Sequence, residues 1–91
     1  MRQVVQSPAF ARQKKKLEKK QITALDEEVR KLASSPDSGE QKKGDLAGIY
    51  VYKCRLSNQL YLIAYEFDDK TLRLIFIAPH ENFYRDLKNS L

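Results

Sequence analysis

The 91-residue sequence predicts a small α+β domain with the element order β-α-α-β-β-β-α. Three observations lead there. Residues 8–35 carry helix punctuation and apolar residues at three- and four-residue steps. From Gly48 to Ala78 the period drops to two, and Tyr, Val, Ile, Leu and Phe dominate, as in strands. Residues 36–48 separate the two regimes with prolyl, glycyl and charged residues and little apolar content. Two N-terminal helices should therefore pack on an antiparallel sheet, with a short C-terminal helix closing the chain. A chain of this length buries about 60–65% of its unfolded surface, which suits one domain over residues 1–91 with a modest core.

The elements follow in order. Val4-Val5 makes a short first strand. Ser7-Pro8 reads as a helix N-cap followed by proline at the first helical position. Phe10 and Leu17, seven apart, give that helix one apolar face. In the second helix Ile22, Leu25, Val29 and Leu32 follow the 3–4 spacing, Asp26, Glu27 and Glu28 suit its first turn, and Thr23 offers capping chemistry. Ser35-Pro36 ends it. Residues 36–48 read as a linker or mobile loop. Strands are expected over Gly48–Arg55, Leu60–Phe67 and Thr71–Ala78, joined as a meander by turns at Ser57-Asn58 and Asp68-Asp69. In the tail, Phe83, Leu87 and Leu91 share a helical face that should pack on the sheet.

Composition narrows the function classes. Residues 1–35 hold nine Lys/Arg against four Asp/Glu, whereas residues 36–91 hold eight of each, so the whole net charge of +5 lies in the first third. Arg12, Lys14, Lys15, Lys16, Lys19 and Lys20 form a stripe that attracts polyanions or an acidic protein segment. The plain alternative is a solvated helix face. One cysteine, Cys54, and one histidine, His80, offer no internal disulfide and no metal cluster. No apolar run reaches the length of a membrane span, and the N-terminus lacks a secretory apolar region. The expectation is a cytoplasmic protein with no membrane partner, cofactor or metal.

Two groups of residues carry chemistry. Lys53 and Arg55 share one face of a strand. Two cations on one pleat are costly in a core, so this face should meet water or a phosphate. Tyr50, Tyr52, Tyr61 and Tyr65 read as packing rather than as a base-stacking platform. The second group is the tail Pro79-His80-Glu81-Asn82-Phe83-Tyr84-Arg85. Histidine moves protons near neutral pH, and Tyr84, four residues on, comes within its reach on a helical turn. Capping the last helix is the plain role for His80, and packing beside Phe83 that for Tyr84.

The order of elements, Lys53 and Arg55, the core strand Tyr61-Leu62-Ile63-Ala64-Tyr65 and the closing histidine segment resemble the RelE/ParE superfamily, the toxins of bacterial type II toxin–antitoxin modules. The resemblance covers essentially the whole chain and is sharper from Gly44 onward. His80 followed by Tyr84 resembles the end of the YafQ-like ribonucleases. It implies a RelE-like fold and, for many members, ribosome-dependent mRNA cleavage that inhibits translation and arrests growth. On that pattern His80 is the acid or base, Tyr84 orients the scissile nucleotide, and Lys53 and Arg55 hold phosphate. Lys14 and Lys15 would grip ribosomal RNA. The partners implied are a cognate antitoxin, the ribosome and mRNA.

One position departs from the pattern. Nuclease members carry arginine second in a Tyr-Arg-x-x-Tyr core strand, where this chain has Leu62. Leucine cannot stabilise the negative charge that develops on a phosphorane. Either Arg73 or Arg85 supplies the missing cation, or catalysis is weak or absent. The ParE branch, which poisons DNA gyrase and generally lacks the nuclease residues, is the alternative.

Overall fold

Ser7 joins the first strand to the first helix. Its hydroxyl accepts from the Phe10 N–H at 3.0 Å and donates to the Ile75 carbonyl at 2.5 Å, tying the cap of α1 (Pro8–Lys15) to the sheet. The computed structural model describes residues 2–90. Helix α2 (Lys19–Ser34) starts four residues before the expected cap at Thr23. Gln21 explains the early start, because its side-chain carbonyl accepts from the Glu18 N–H at 3.0 Å and satisfies a donor at the helix mouth. Thr23 is interior to the helix, where its hydroxyl donates to the Lys19 carbonyl at 3.2 Å. Helix α1 ends at Lys15, so Leu17 reaches the core from the connection between the helices.

The sheet has five strands in the order β1-β5-β4-β3-β2 and is mixed rather than wholly antiparallel. Strand β1 (Gln3–Gln6) runs parallel to β5 (Thr71–Pro79), with the Gln3 N–H on the Lys70 carbonyl and the Ser7 N–H on the Leu74 carbonyl. Without β1 the apolar strand β5 would present an unpaired edge. Strand β2 (Glu40–Gln41) pairs antiparallel with β3 (Tyr50–Leu56) inside the segment expected to be a linker. A tertiary clamp orders it. The buried Tyr65 hydroxyl donates to the Pro36 carbonyl at 2.5 Å and accepts from the Gly39 N–H at 2.9 Å. A Cβ on residue 39 would collide with that hydroxyl, so the close approach requires glycine.

The meander forms as expected. Ser57 and Asn58 both take positive φ, 53° and 71°, which suits the two-residue hairpin between β3 and β4 (Gln59–Phe67). Asp68 turns β4 into β5 by accepting from the Lys70 and Thr71 N–H groups at 2.9 and 2.8 Å. A bulge between Ala64 and Tyr65 shifts the register, so Tyr65 faces Leu74 while Ala64 faces Phe76.

The sheet carries a core on each face. Leu25 and Leu32 of α2 and Phe10 of α1 bury Cys54, Leu56, Tyr61, Ile63 and Tyr65 on one side. On the other side, the C-terminal helix α3 (Phe83–Ser90) brings Phe83 and Leu87 into a cluster with Val51, Leu62, Ala64, Phe76 and Ala78. Leu91, expected on the same helical face, lies outside the described residues. The tyrosines pack as expected: Tyr61 and Tyr65 are buried, and the Tyr50 ring stacks on Tyr65 with 5.7 Å between centroids. No helix among the described residues is long and apolar enough to cross a membrane.

Candidate functional site

The α3 face of the sheet gathers most of the polar residues singled out in the sequence. Strand alternation and the register put Lys53, Leu62 and Ala78 in one row across β3, β4 and β5, and Arg55 beside Leu60 in the next row outward. Lys53 and Arg55 are exposed, whereas Leu62 beside Lys53 is 1% exposed. Beyond Pro79, which pairs with Tyr61, the chain leaves the sheet at this same end through a 3₁₀ turn, His80–Asn82. His80 is exposed there, and its side chain has no hydrogen-bond partner among the described residues.

Tyr84 opens α3 at 38% exposure, with its ring edge-on to Phe83 at 5.1 Å. Its polar neighbour is Lys42, whose ammonium lies 5.2 Å from the centre of the Tyr84 ring. Lys42 also donates to the Glu40 carboxylate at 2.9 Å. The Tyr84 hydroxyl and then Glu40 hold the Lys42 ammonium above its ordinary pKa. Lys42, with a smaller contribution from Lys53, holds the Glu40 carboxyl below its ordinary value. Both groups are therefore charged at neutral pH, and a shallow groove of about 310 Å³ runs beside them along Ser38, Glu40, Val51, Tyr52 and Lys53.

The sequence reading missed Lys42 and Glu40 because it took residues 36–48 as a linker. A signal was present: Glu40 and Lys42 are two apart, the spacing that puts both side chains on one face of an extended segment. The Glu40 contact should respond to pH with a defined sign. A carboxyl whose folded pKa lies below its ordinary 4.5 loses its ion pair as pH falls through that lowered value. An NMR titration should show the Lys42 and Tyr84 resonances moving together with Glu40 below about pH 4.5, and unchanged Tyr84 signals there would exclude the coupling.

The structure keeps the other expected site residues away from His80. Arg73 faces Glu66 at 2.8 Å and lies seven residues before His80. At about 3.3 Å per residue that places it roughly 20 Å from His80, at the far end of β5. Arg85 fares no better. Each residue turns a helix by about 100°, so Arg85 lies opposite the midline of the buried Phe83 and Leu87 and projects into solvent beside Asp86. Lys14 and Lys15 belong to the helix layer, where Lys14 pairs with Asp26 at 3.1 Å. Neither arginine occupies the place that Leu62 leaves without a cation. Among the described residues no group of three or more His, Cys, Asp and Glu could hold a metal.

Comparison with known proteins gives the family. The family model described as the ParE-like toxin of type II bacterial toxin-antitoxin system matches residues 4–88. No curated protein sequence matches. The fold is similar to a chain of the RelBE2 toxin–antitoxin complex from Mycobacterium tuberculosis. That match has a TM-score of 0.76 and 20% identity, and covers 87% of this chain and 98% of that one. A mutant of the E. coli toxin RelE in the free state aligns with a TM-score of 0.74 and 16% identity, over 98% of this chain and 92% of that one. YafQ from E. coli strain BL21(DE3) aligns with a TM-score of 0.56 and 14% identity, over 92% and 99%. Mixed sheet, two-helix layer and C-terminal helix are thus those of the RelE/ParE superfamily, and the chain belongs to the ParE-like toxins of bacterial type II toxin–antitoxin systems.

Proposed function

We propose that this chain is a toxin that acts by binding and trapping its target, DNA gyrase, rather than by cutting RNA, and that it works in the cytoplasm under the control of a cognate antitoxin. The observation that carries this reading is the leucine at position 62, buried in the row between Lys53 and Ala78. Leu62 fills the position where nuclease members of the superfamily place arginine, while Arg73 and Arg85 point elsewhere. Cleavage by a 2′-hydroxyl needs a group that transfers protons and a group that stabilises the phosphorane. His80 offers the first, and for the second the row beside it holds Leu62 rather than an arginine. The ParE-like family match supports the same reading.

The second reading, a ribosome-dependent mRNA endonuclease, is favoured by the exposure of His80 at the sheet end that carries Arg55 and Lys53. The ribosome could then provide the positioning that the small site lacks.

Two purified-component assays decide between the readings. Gyrase incubated with DNA and the protein is expected to lose supercoiling activity and accumulate cleaved DNA, and the His80→Ala variant is expected to act equally well. Programmed ribosomes carrying a defined mRNA are expected to keep that message intact. A-site cleavage that disappears with His80→Ala would reverse the assignment. Co-expression with the product of an adjacent small gene should restore growth in either case.

A further inference from the structure

A further open groove of the molecule is not on the α3 face. It lies where the C-terminal end of α2 meets β3, has a volume of about 510 Å³, and is lined by Arg30, Lys31, Ser34, Ser35, Ser38 and Tyr52. We infer that this groove is a second contact site for a nucleic-acid phosphodiester backbone. The inference stands apart from the choice between gyrase and ribosome, because it concerns direct contact by the isolated protein.

The chemistry of the lining points to phosphate. Two cations, three aliphatic hydroxyls and a phenol converge there. Among the described residues, all but the Ser38 hydroxyl, which donates to the Ser35 carbonyl at 2.7 Å, face the groove without a backbone partner. Burial, and then Glu28, push the Tyr52 hydroxyl above its ordinary pKa, so it stays protonated and able to donate. Among the described residues, Glu28 is the carboxylate bonded to this lining. It accepts from Tyr52 at 3.3 and 3.4 Å and faces Lys31 at 3.6 Å. Those hydroxyl contacts are longer than a good O–H···O bond, so exchanging them for a phosphate oxygen costs little. Arg30 has no acidic partner among the described residues. A guanidinium exposed beside hydroxyls is well matched to phosphate.

The shape points to a chain rather than to a single nucleotide. Ser38 and Tyr52 also line the groove that contains Lys53. The two grooves therefore adjoin at Ser38 and Tyr52, one beside the end of α2 and the other beside Lys53. Glu40, which lines the Lys53 groove, is paired with Lys42 at 2.9 Å. Phosphates along one strand could meet Arg30 and Lys31 in the first groove and Lys53 in the second. A docked protein segment would instead need deep apolar anchors, and the combined lining offers chiefly Val51 and the Tyr52 ring.

Fluorescence anisotropy with labelled oligomers of equal length tests the inference, using single-stranded RNA, single-stranded DNA and duplex DNA as separate arms. The Arg30→Gln/Lys31→Gln variant should bind at least one of them roughly ten-fold more weakly than the unchanged protein, with a salt dependence lower by about one to two phosphates. The charge-matched variant Lys70→Gln/Lys88→Gln, altered away from the groove, should lose less than about two-fold. Tyr52→Phe, which leaves the charge alone, should weaken the same arm measurably. The preferred arm identifies the nucleic acid. Equal losses in the two charge variants would overturn the site and leave only a diffuse basic surface. An effect of the groove variant on a poly-glutamate probe alone would likewise overturn it, in favour of an acidic protein partner. Circular dichroism of each variant separates lost binding from lost folding.

Discussion

Leu62→Arg is expected to destabilise the domain by about 3–5 kcal/mol without creating a nuclease. The resemblance to the superfamily's nucleases implies an arginine at this position, and on that basis alone the substitution would be expected to restore chemistry. In this chain Leu62 is 1% exposed, sits within the cluster that contains Phe83 and Leu87, and faces Lys53 across the strand pair. An arginine there enters an apolar cluster without a carboxylate and stands beside a second cation. Domains of this size are stable by only about 5–15 kcal/mol, so the urea midpoint should fall far enough to measure easily. The ribosome assay should stay negative. A stable Leu62→Arg protein that cuts A-site mRNA would mean that one side chain separates this fold from catalysis, and would sink the binding-only reading.

Phe83→Ala is expected to cost about 3–5 kcal/mol, and its effect should concentrate on α3. Phe83 is fully buried against Phe76, at 6.0 Å between ring centres, and carries Tyr84 edge-on. An eight-residue helix does not hold itself together in water; tertiary packing through one apolar face has to do so. Here that face consists of Phe83 and Leu87. Losing the larger anchor should release the helix, part Tyr84 from Lys42 and expose Leu62. Hydrogen exchange should then show amides of residues 83–90 exchanging faster than those of β4. Protection of residues 83–90 that still matches β4 would mean that α3 is held by something other than its apolar face.

Much of the architecture was legible from local pattern. The Ser7-Pro8 helix start, the Ser35-Pro36 stop, the Ser57-Asn58 hairpin and the Asp68 turn all appear where the sequence put them. These signals are local: a cap, a fixed proline φ or a positive φ acts within a few residues. The start of α2 escaped the reading because the acidic run Asp26–Glu28 resembles a first turn, while the side chain that caps the helix belongs to Gln21. The segment 36–48 escaped for a different reason. Its composition is that of a loop, and only the hydroxyl of Tyr65, far along the chain, gives Pro36 and Gly39 their partners.

The candidate site divides along the same line. By itself the sequence determined that Lys53 and Arg55 share a face, that Leu62 stands second in the core strand from Tyr61 to Tyr65, that His80 follows the last strand and that Phe83 and Leu87 anchor the tail. Each statement needs only the period of one element and the order of residues within it. The tertiary structure alone decided that Lys42 and Glu40 join Tyr84, that β1 pairs parallel with β5, and that Arg73 stands at the far end from His80 with Glu66. Periodicity tells a side chain which face of its own element it occupies. Its neighbour across the sheet depends on strand order, register and the path of the intervening loops, which are set by contacts between residues distant in sequence.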